Sequence, residues 1–415
     1  MSVVNRRNAA VIGSLVLLCS LSFAGWTPLV SGTTNALYSV CFPAGTQVGY
    51  AVGVGGTVLK TTDGGTTWTA ESSGAIGQLN SVFFNDNNNG VAVGNRGTII
   101  KTTDGGATWT KPTSGVTYPL TYVGFPGKGQ TGYIGVNHVD SLASALKSTD
   151  GGSTWSSLPA GGVMDKGYGA YFATVNNGII FGYSGLCLGT TNGSTFAHDQ
   201  SWFHNGPIVA AAASPTTPTK AYLIGNDETL GMGVIRNTMS FPPSLWDTAM
   251  TGPYPAAPVA YYGITFATDS FAYVCGAGGF IGVTNTPTNV TATSTPGVTG
   301  AVNGLSFPSA DTGYAVGEGG MILKTTDGGR PWAPGVAEGK APVVPRAGLR
   351  VLSNPGRYGI SVHSDANVPL TVFDATGRSV LSKAAVTGTN FLPVRKAGAY
   401  FVKSGTQTAR AVVTD

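Results

Sequence analysis

Acidic side chains recur at regular places along this chain of 415 residues. Carboxylates are what metal coordination and general acid–base catalysis require. Asp63, Asp104, Asp150 and Asp327 stand in near-identical strings: TTDGGTTW at 61–68, TTDGGATW at 102–109, STDGGSTW at 148–155 and TTDGGRPW at 325–332. They could form a metal or catalytic set only if the fold gathered them. A weaker metal constellation is His198 and His204 with Asp199, although histidines without a matching Cys or second pair are more often simply solvated. Asp199, Asp227, Glu228 and Glu318 could supply the two carboxylates that flank a glycosidic bond. The chain has no G-x-S-x-G elbow, no P-loop and no HExxH. No catalytic residue, no metal site and no cofactor is assigned.

The elements that must position these residues form a repeat. Worn copies of the string stand at 190–196 (TTNGSTF), 235–246 and 283–289, so the Asp or Asn position falls at 63, 104, 150, 192, about 237, 285 and 327. A period in the forties, with strand-like patterning, indicates four strands per repeat and hence one propeller blade. The prelude is constant too: GYAVGVGGTVLKTTDGG at 49–65, GVAVGNRGTIIKTTDGG at 90–106 and GYAVGEGGMILKTTDGG at 313–329. It reads as strand, glycine turn, strand and DGG turn. An Asp side chain can accept backbone N–H groups two or three residues on, closing an Asx-type turn, and the glycines supply positive φ. The Trp that follows suits packing between blades. Asp63, Trp68, Asp104, Trp109, Asp150, Trp155, Asn192, Asp327 and Trp332 are therefore structural. One carboxylate per blade, radially separated, makes no shared site.

The string resembles the Asp-box, or BNR, repeat family over roughly residues 26–332, which implies a β-propeller. The combined pattern AVG-x-x-G-x-x-x-KTTDGG-x-x-W is similar to the propellers related to photosystem II assembly and stability factors. Sialidases share the Asp-box, and their chemistry needs an arginine trio with a Tyr/Glu pair. Residues 25–345 contain only Arg96, Arg236 and Arg330, and Arg330 lies inside an Asp-box. The electrostatic part of such catalysis is then missing.

Trp26, Trp68 and Trp109 each begin W-x-x-x-x-S-G, and each is followed after 14 positions by a Val (Val40, Val82, Val123). The segment from Trp26 is thus what normally follows an Asp-box. We expect it to supply the outer strand of the seventh blade, whose other strands come from 301–332, leaving no open sheet edge. The fold class expected is all-β: a seven-bladed β-propeller followed by a small Ig-like β-sandwich tail domain.

Residues 1–24 read as a secretory signal peptide: Arg6 and Arg7, an apolar run to Phe23 and Ser22-Phe23-Ala24 before the cut. The domains are then 1–24 signal, 25–335 propeller, 336–348 Pro/Gly-rich linker and 349–415 tail. Residues 25–345 carry 12 basic and 16 acidic side chains, and 346–415 carry 9 and 3. The main body thus gives no basis for a nucleic-acid face. No segment after the signal could span a bilayer as a helix. Cys41, Cys187 and Cys275 align with apolar positions of other repeats and read as buried small hydrophobes.

The tail order Asn354-Pro355, Leu370-Thr371-Val372-Phe373-Asp374, Gly377-Arg378 and Gly398-Ala399-Tyr400 resembles the C-terminal sorting domain of type IX secretion substrates. That resemblance implies the type IX machinery as a partner of residues 349–415, and a secreted or outer-surface location. What remains for the body is a surface. Loops between the second and third strands, and between blades, share the face opposite the Asp-boxes. There we expect Arg96, Lys166, Tyr168, His198, Trp202, His204, Glu228 and Tyr254 as ligand-binding candidates, with Tyr261 on the same face. Exposed loop aromatics mark recognition sites, although these rings could equally pack the blade tops. Two functions stay open: a non-catalytic exported propeller binding a protein or scaffolding an assembly, and a carbohydrate-binding or glycoside-hydrolase (sialidase-like) propeller.

Overall fold

The computed structural model describes residues 25–330 and 350–413, apart from 44, 138–143, 160–166, 200–205, 218–220, 228–231, 239–258, 287–288, 294, 296, 357–358, 365–368, 385–387, 395–397 and 405–406. Two compact units divide the chain, residues 1–335 and 336–415. The first is built from antiparallel sheets in chain order, seven of them among the described residues. Their first strands are Leu37–Cys41, Leu79–Phe84, Leu120–Gly124, Gly167–Phe172, Ile208–Ala213, Tyr261–Phe266 and Val302–Ser306. Each first strand contacts the next, and Val302–Ser306 returns to contact Leu37–Cys41, so the sheets close a circle around a channel.

Closure uses strand exchange, as the Trp-Ser-Gly spacing predicts. Thr27–Leu29 pairs antiparallel with Ile322–Lys324, outside Gly313–Gly317 and Val302–Ser306. Trp26 is buried, and its indole N–H donates to Thr293 Oγ1 at 3.1 Å.

The cores lie between sheets. The Tyr of each GYAVG-like strand stacks on a Phe from the first strand of the following sheet: Tyr50 on Phe84 at 3.6 Å, Tyr133 on Phe172 at 3.5 Å and Tyr273 on Phe307 at 4.1 Å. Tyr314 on Phe42, at 3.8 Å, repeats this contact across the closing joint. Trp26, Trp68, Trp109 and Trp155 meet Phe307, Phe42, Phe84 and Phe125 of their own sheets edge-on, 5.9–6.2 Å between centroids. Trp68 and Trp109 also join clusters that include Tyr314 and Tyr50 of the preceding sheets, which is the inter-sheet packing expected of them. Trp332 lies outside the described residues.

The Asp-box turns are structural: Asp150, Asn192 and Asp327 accept N–H groups two or three residues on, as expected, from Ser153, from Ser194 and Thr195, and from Gly329, and a longer reach is added. Asp63, Asp104 and Asp150 each accept an N–H four residues on, from Thr67, Thr108 and Thr154 at 2.9 Å. The same threonine hydroxyls reach the second carboxylate oxygen. The two glycines, at φ between +67° and +90°, curl the chain enough to bring that fourth N–H back. The hydroxyl two residues before the Asp or Asn (Thr61, Thr102, Ser148, Thr190, Thr325) donates to its side-chain oxygen at 2.7–3.1 Å.

The motif's Tyr and Lys have a purpose that the sequence did not reveal. Tyr50 Oη and Lys60 Nζ both donate to the Gly105 carbonyl of the next Asp-box, at 2.9 and 2.7 Å. Tyr314 and Lys324 do the same to Gly64, and Tyr133 and Lys147 to Gly193. These three turns are therefore each hooked to the preceding sheet.

The second unit holds two sheets. One orders Arg350–Gly356, Gly359–Ser364 and Gly388–Pro393; the other Ser379–Lys383, Leu370–Asp374, Gly398–Ser404 and Gln407–Val413. Ile360, Val362 and Leu392 from the first share a core with Leu370, Val372 and Val402 from the second. Cys187 and Cys275 are buried and Cys41 half-buried, and the three are thiols outside any disulfide. Burial pushes the Cys41 thiol up to about 11. Among the described residues no helix is long and apolar enough to cross a membrane.

Candidate functional site

The two ends of the channel are built by different turns. On one face, the N–H of the first DGG glycine donates to a carbonyl in the turn between the first and second strands, as Gly64 to Gln47, Gly105 to Asn88 and Gly151 to Gln130. On the other, the residue following the second strand donates its N–H to the carbonyl just before the first strand: Val54 to Ala36, Asn95 to Gln78, Asn137 to Pro119, Ala277 to Ala260 and Glu318 to Ala301. The second-to-third-strand turns and the inter-sheet entries thus share one face, opposite the Asp-boxes, as expected.

Close packing fixes those turns. Gly97 has φ +68°, and a Cβ there would sit 1.9 Å from the Val116 carbonyl oxygen. Gly56 and Gly320 stand equally close to the carbonyls of Ala75 and Thr33, which follow the Ser-Gly pairs.

A β-bulge opens each first strand at this end. The pairing with the second strand slips at Tyr38, Asn80, Tyr168, Val209, Tyr262 and Asn303, and at Thr121 between Leu120 and Tyr122. A bulge puts two residues opposite one and re-aims a side chain. All seven residues line a cavity of about 570 Å³ at the channel mouth. The mouth continues into a channel of about 540 Å³.

Some mouth groups are committed to holding neighbouring sheets. Asn80 Nδ2 donates to Leu120 O at 2.8 Å and to Asn95 Oδ1 at 3.0 Å, and Asn303 Nδ2 donates to Leu37 O at 2.9 Å. Thr121 Oγ1 donates to Tyr168 O at 2.9 Å. The hydroxyls of Tyr38 and Tyr262 have no hydrogen-bond partner among the described residues. Tyr168 packs against Tyr183 with centroids 5.7 Å apart. Burial, with the nearby Tyr183 and Tyr262, raises its hydroxyl above the ordinary tyrosine value. Glu318 is the one charged side chain lining the mouth among the described residues.

The expected ligand-binding residues divide. Tyr168 is at the mouth. Arg96 is exposed, in a left-handed conformation at φ +58°. It lines a separate groove with Lys111 and Val116, while its neighbour Asn95 faces the mouth. His198 lies within the strand Ala197–Asp199, paired with Leu188, rather than in an inter-blade loop. That pairing makes Ala197–Asp199 the fourth strand of the fourth sheet, the strand count expected of each repeat, and moves His198 out of the inter-blade loop. Lys166, Trp202, His204, Glu228 and Tyr254 lie outside the described residues. The sequence reading missed Tyr38, Asn80, Tyr262 and Asn303. A signal existed: three bulge residues, Tyr38, Asn80 and Thr121, stand twelve positions after Trp26, Trp68 and Trp109.

The repeated Asp residues stay far from this mouth, each inside its own turn. Hydrogen bonds from Thr67, and from Thr108, hold the carboxyls of Asp63 and Asp104 down at about 2, well below the usual range. Among the described residues, no group of three His, Cys, Asp or Glu side chains could hold a metal ion.

Residues 75–162, the second and third sheets, match the family described as Photosynthesis system II assembly factor YCF48. No curated protein sequence matches the chain. Among solved structures, YCF48 bound to D1 peptide is similar over 74% of this chain and 98% of its own, with a TM-score of 0.57 and 17% identity. YCF48 from Cyanidioschyzon merolae is similar over 73% and 98%, with a TM-score of 0.56 and 17% identity. An ancestral GH74 enzyme is similar over 73% of this chain and 46% of its own, with a TM-score of 0.56 and 14% identity. At these identities the likeness establishes the fold: the first unit is a β-propeller.

Proposed function

We propose that this chain is an exported, seven-bladed propeller whose channel mouth binds a protein partner at the cell surface. The observation that carries this reading is the bulge ring. The seven sheets share one backbone device at the mouth, yet they aim unlike side chains from it. Three of these are tyrosines and two are asparagines, the residue types that supply rigid contact area and adaptable hydrogen bonds in protein-binding loops. The likeness to a YCF48 that binds a D1 peptide supports a peptide-like ligand. It carries no implication of photosynthesis.

A binding role rather than a catalytic one also accords with the single mouth carboxylate among the described residues, where glycoside hydrolysis needs two. The likeness to a GH74 enzyme keeps a carbohydrate reading as the competing one. Peptide and glycan arrays probed with the full chain separate the two. The expected result is binding to peptides that is lost in Tyr262→Ala. Selective glycan binding, or glycan turnover, would move the assignment to the carbohydrate class.

Residues 1–24 serve in this proposal as the export signal and residues 349–415 as a type IX sorting domain with an Ig-like sandwich fold. The two-sheet unit with its own core is consistent with a separately folding address. Deleting 349–415 should leave a folded propeller in the periplasm. Normal surface delivery of the truncated protein would refute the sorting role.

A further inference from the structure

We infer that the channel mouth is a receptor for a basic side chain, lysine or arginine, presented by the protein partner; this rests on the protein-binding reading above. The mouth is polarised. Around one arc, Tyr262 of the sixth sheet, Glu318 of the seventh and Tyr38 of the first follow one another. The arc that follows, in the second and third sheets, carries the amides of Gln78, Asn80, Asn95 and Asn137.

Glu318 is exposed, and its Oε2 accepts the N–H of Ala301 at 2.9 Å. Oε1 has no partner among the described residues. A carboxylate sharing the mouth with two tyrosines from the flanking sheets offers an ammonium or guanidinium group both a charge-assisted hydrogen bond and ring faces that attract cations. The propeller uses the same pairing internally, where Lys60, Lys147 and Lys324 sit 5.4–5.8 Å from the ring centroids of Tyr50, Tyr133 and Tyr314. Asn80 is committed to Gln78, Asn95 and Leu120, so the amide arc offers the main chain of an extended segment the remaining amide groups of Gln78, Asn95 and Asn137. A cavity of about 570 Å³ is large enough for a side chain together with its flanking peptide groups. Residues 25–345, with 16 acidic against 12 basic side chains, carry a net negative charge that attracts an approaching cation.

The test pans a random dodecapeptide phage library on the full chain and measures the selected peptides by fluorescence anisotropy. The expected result is Lys or Arg at one constant position in the selected peptides. Replacing it by norleucine should weaken binding about tenfold, and Glu318→Gln should do the same, since one charge-assisted contact is lost in each case. The norleucine peptide should bind native protein and E318Q alike, which assigns the effect to the pair. The amide side chain of E318Q keeps an oxygen for the Ala301 N–H, so folding is unaffected, and a thermal melt checks this. Tyr262→Leu, which keeps an apolar side chain but no aromatic ring, should also favour loss of the basic peptide over its norleucine form. Selected peptides without a basic position, or E318Q binding as tightly as native, would overturn this inference and leave the protein-binding reading standing. Failure to enrich any peptide, with selective glycan binding instead, would overturn both.

Discussion

Thr61, Thr102, Thr190 and Thr325 occupy one position in four sheets, with Ser148 in a fifth, and each bonds the Asp or Asn two residues on. Tyr38, Asn80, Thr121, Tyr168, Val209, Tyr262 and Asn303 occupy another position, share a bulge and have no chemistry in common. At the Asp-box end, repeated side chains make repeated geometry. At the mouth end, repeated geometry presents varied side chains. A structural device must make the same bond wherever it is used, so the residues that make it, a hydroxyl and an Asp or Asn two positions on, vary little. A recognition surface must match a ligand without the ring's symmetry, so its residues must differ. The contrast is the ground on which the proposed binding function is assigned to the mouth.

The comparison breaks most severely at the inter-sheet hooks. Tyr50→Ala and Tyr314→Ala each remove a buried stacked ring and a hydroxyl bonded to an Asp-box carbonyl. Loss of a buried aromatic costs about 3–5 kcal/mol, to be read by denaturant unfolding of the propeller transition. A cost equal to that of an exposed tyrosine would sink the account of ring closure at Tyr314.

Next comes Gly97→Ala, which forces a Cβ against the Val116 carbonyl at a positive φ. The expected destabilisation is on the order of 1–3 kcal/mol. Gly319→Ala has the same sign of φ and open space around it, and should cost visibly less. Equal melting temperatures for the two variants would remove close packing as the reason for glycine at position 97.

Acid sharpens the contrast further. Asp63 and Asp104 have carboxyls held below the usual range, at about 2, and Asp150 is lowered by the same kind of bonds. Their contribution is fully present above the unfolded value near 3.8 and is lost as pH falls through the folded value near 2. The native propeller should therefore lose stability between about pH 4 and pH 2. A D63N/D104N/D150N variant should be less stable at neutral pH and flatter across that window. An unchanged acid slope would show that the Asp-boxes do not titrate with folding.

The smallest effect on stability belongs to the mouth. Tyr262 is 42% exposed, and Tyr262→Ala should shift unfolding by no more than about 0.5 kcal/mol while abolishing ligand binding. A large loss of stability there would make the bulge ring part of the scaffold.

The Asp-box half of this molecule was legible because it obeys a local rule. Asp63, Gly64, Gly65 and Thr67 are near in sequence, and the side-chain bonds that close their turn are all local. The closing strand was legible too, since the segment after Trp26 repeats the segment after Trp68. Tyr50 and Lys60 were visible as a recurring pair but mute, because their acceptor is 45 or more residues away in the next sheet. At the mouth the reading was displaced by one residue in two places. It favoured Arg96, where Asn95 faces the cavity, and it placed Tyr261 on the loop face, where Tyr261 is buried and Tyr262 exposed. For Tyr261 and Tyr262, strict alternation along the strand cannot foresee the shift, because a bulge adds one residue and reverses the faces beyond it.

By itself, then, the sequence determined the repeat, its turns and the way the ring is closed, since each follows from residues that recur at a constant period. Tertiary structure alone decided which side chains meet at the channel mouth. Seven bulges from seven distant segments converge there, and convergence across a ring leaves no mark in the spacing of any one repeat.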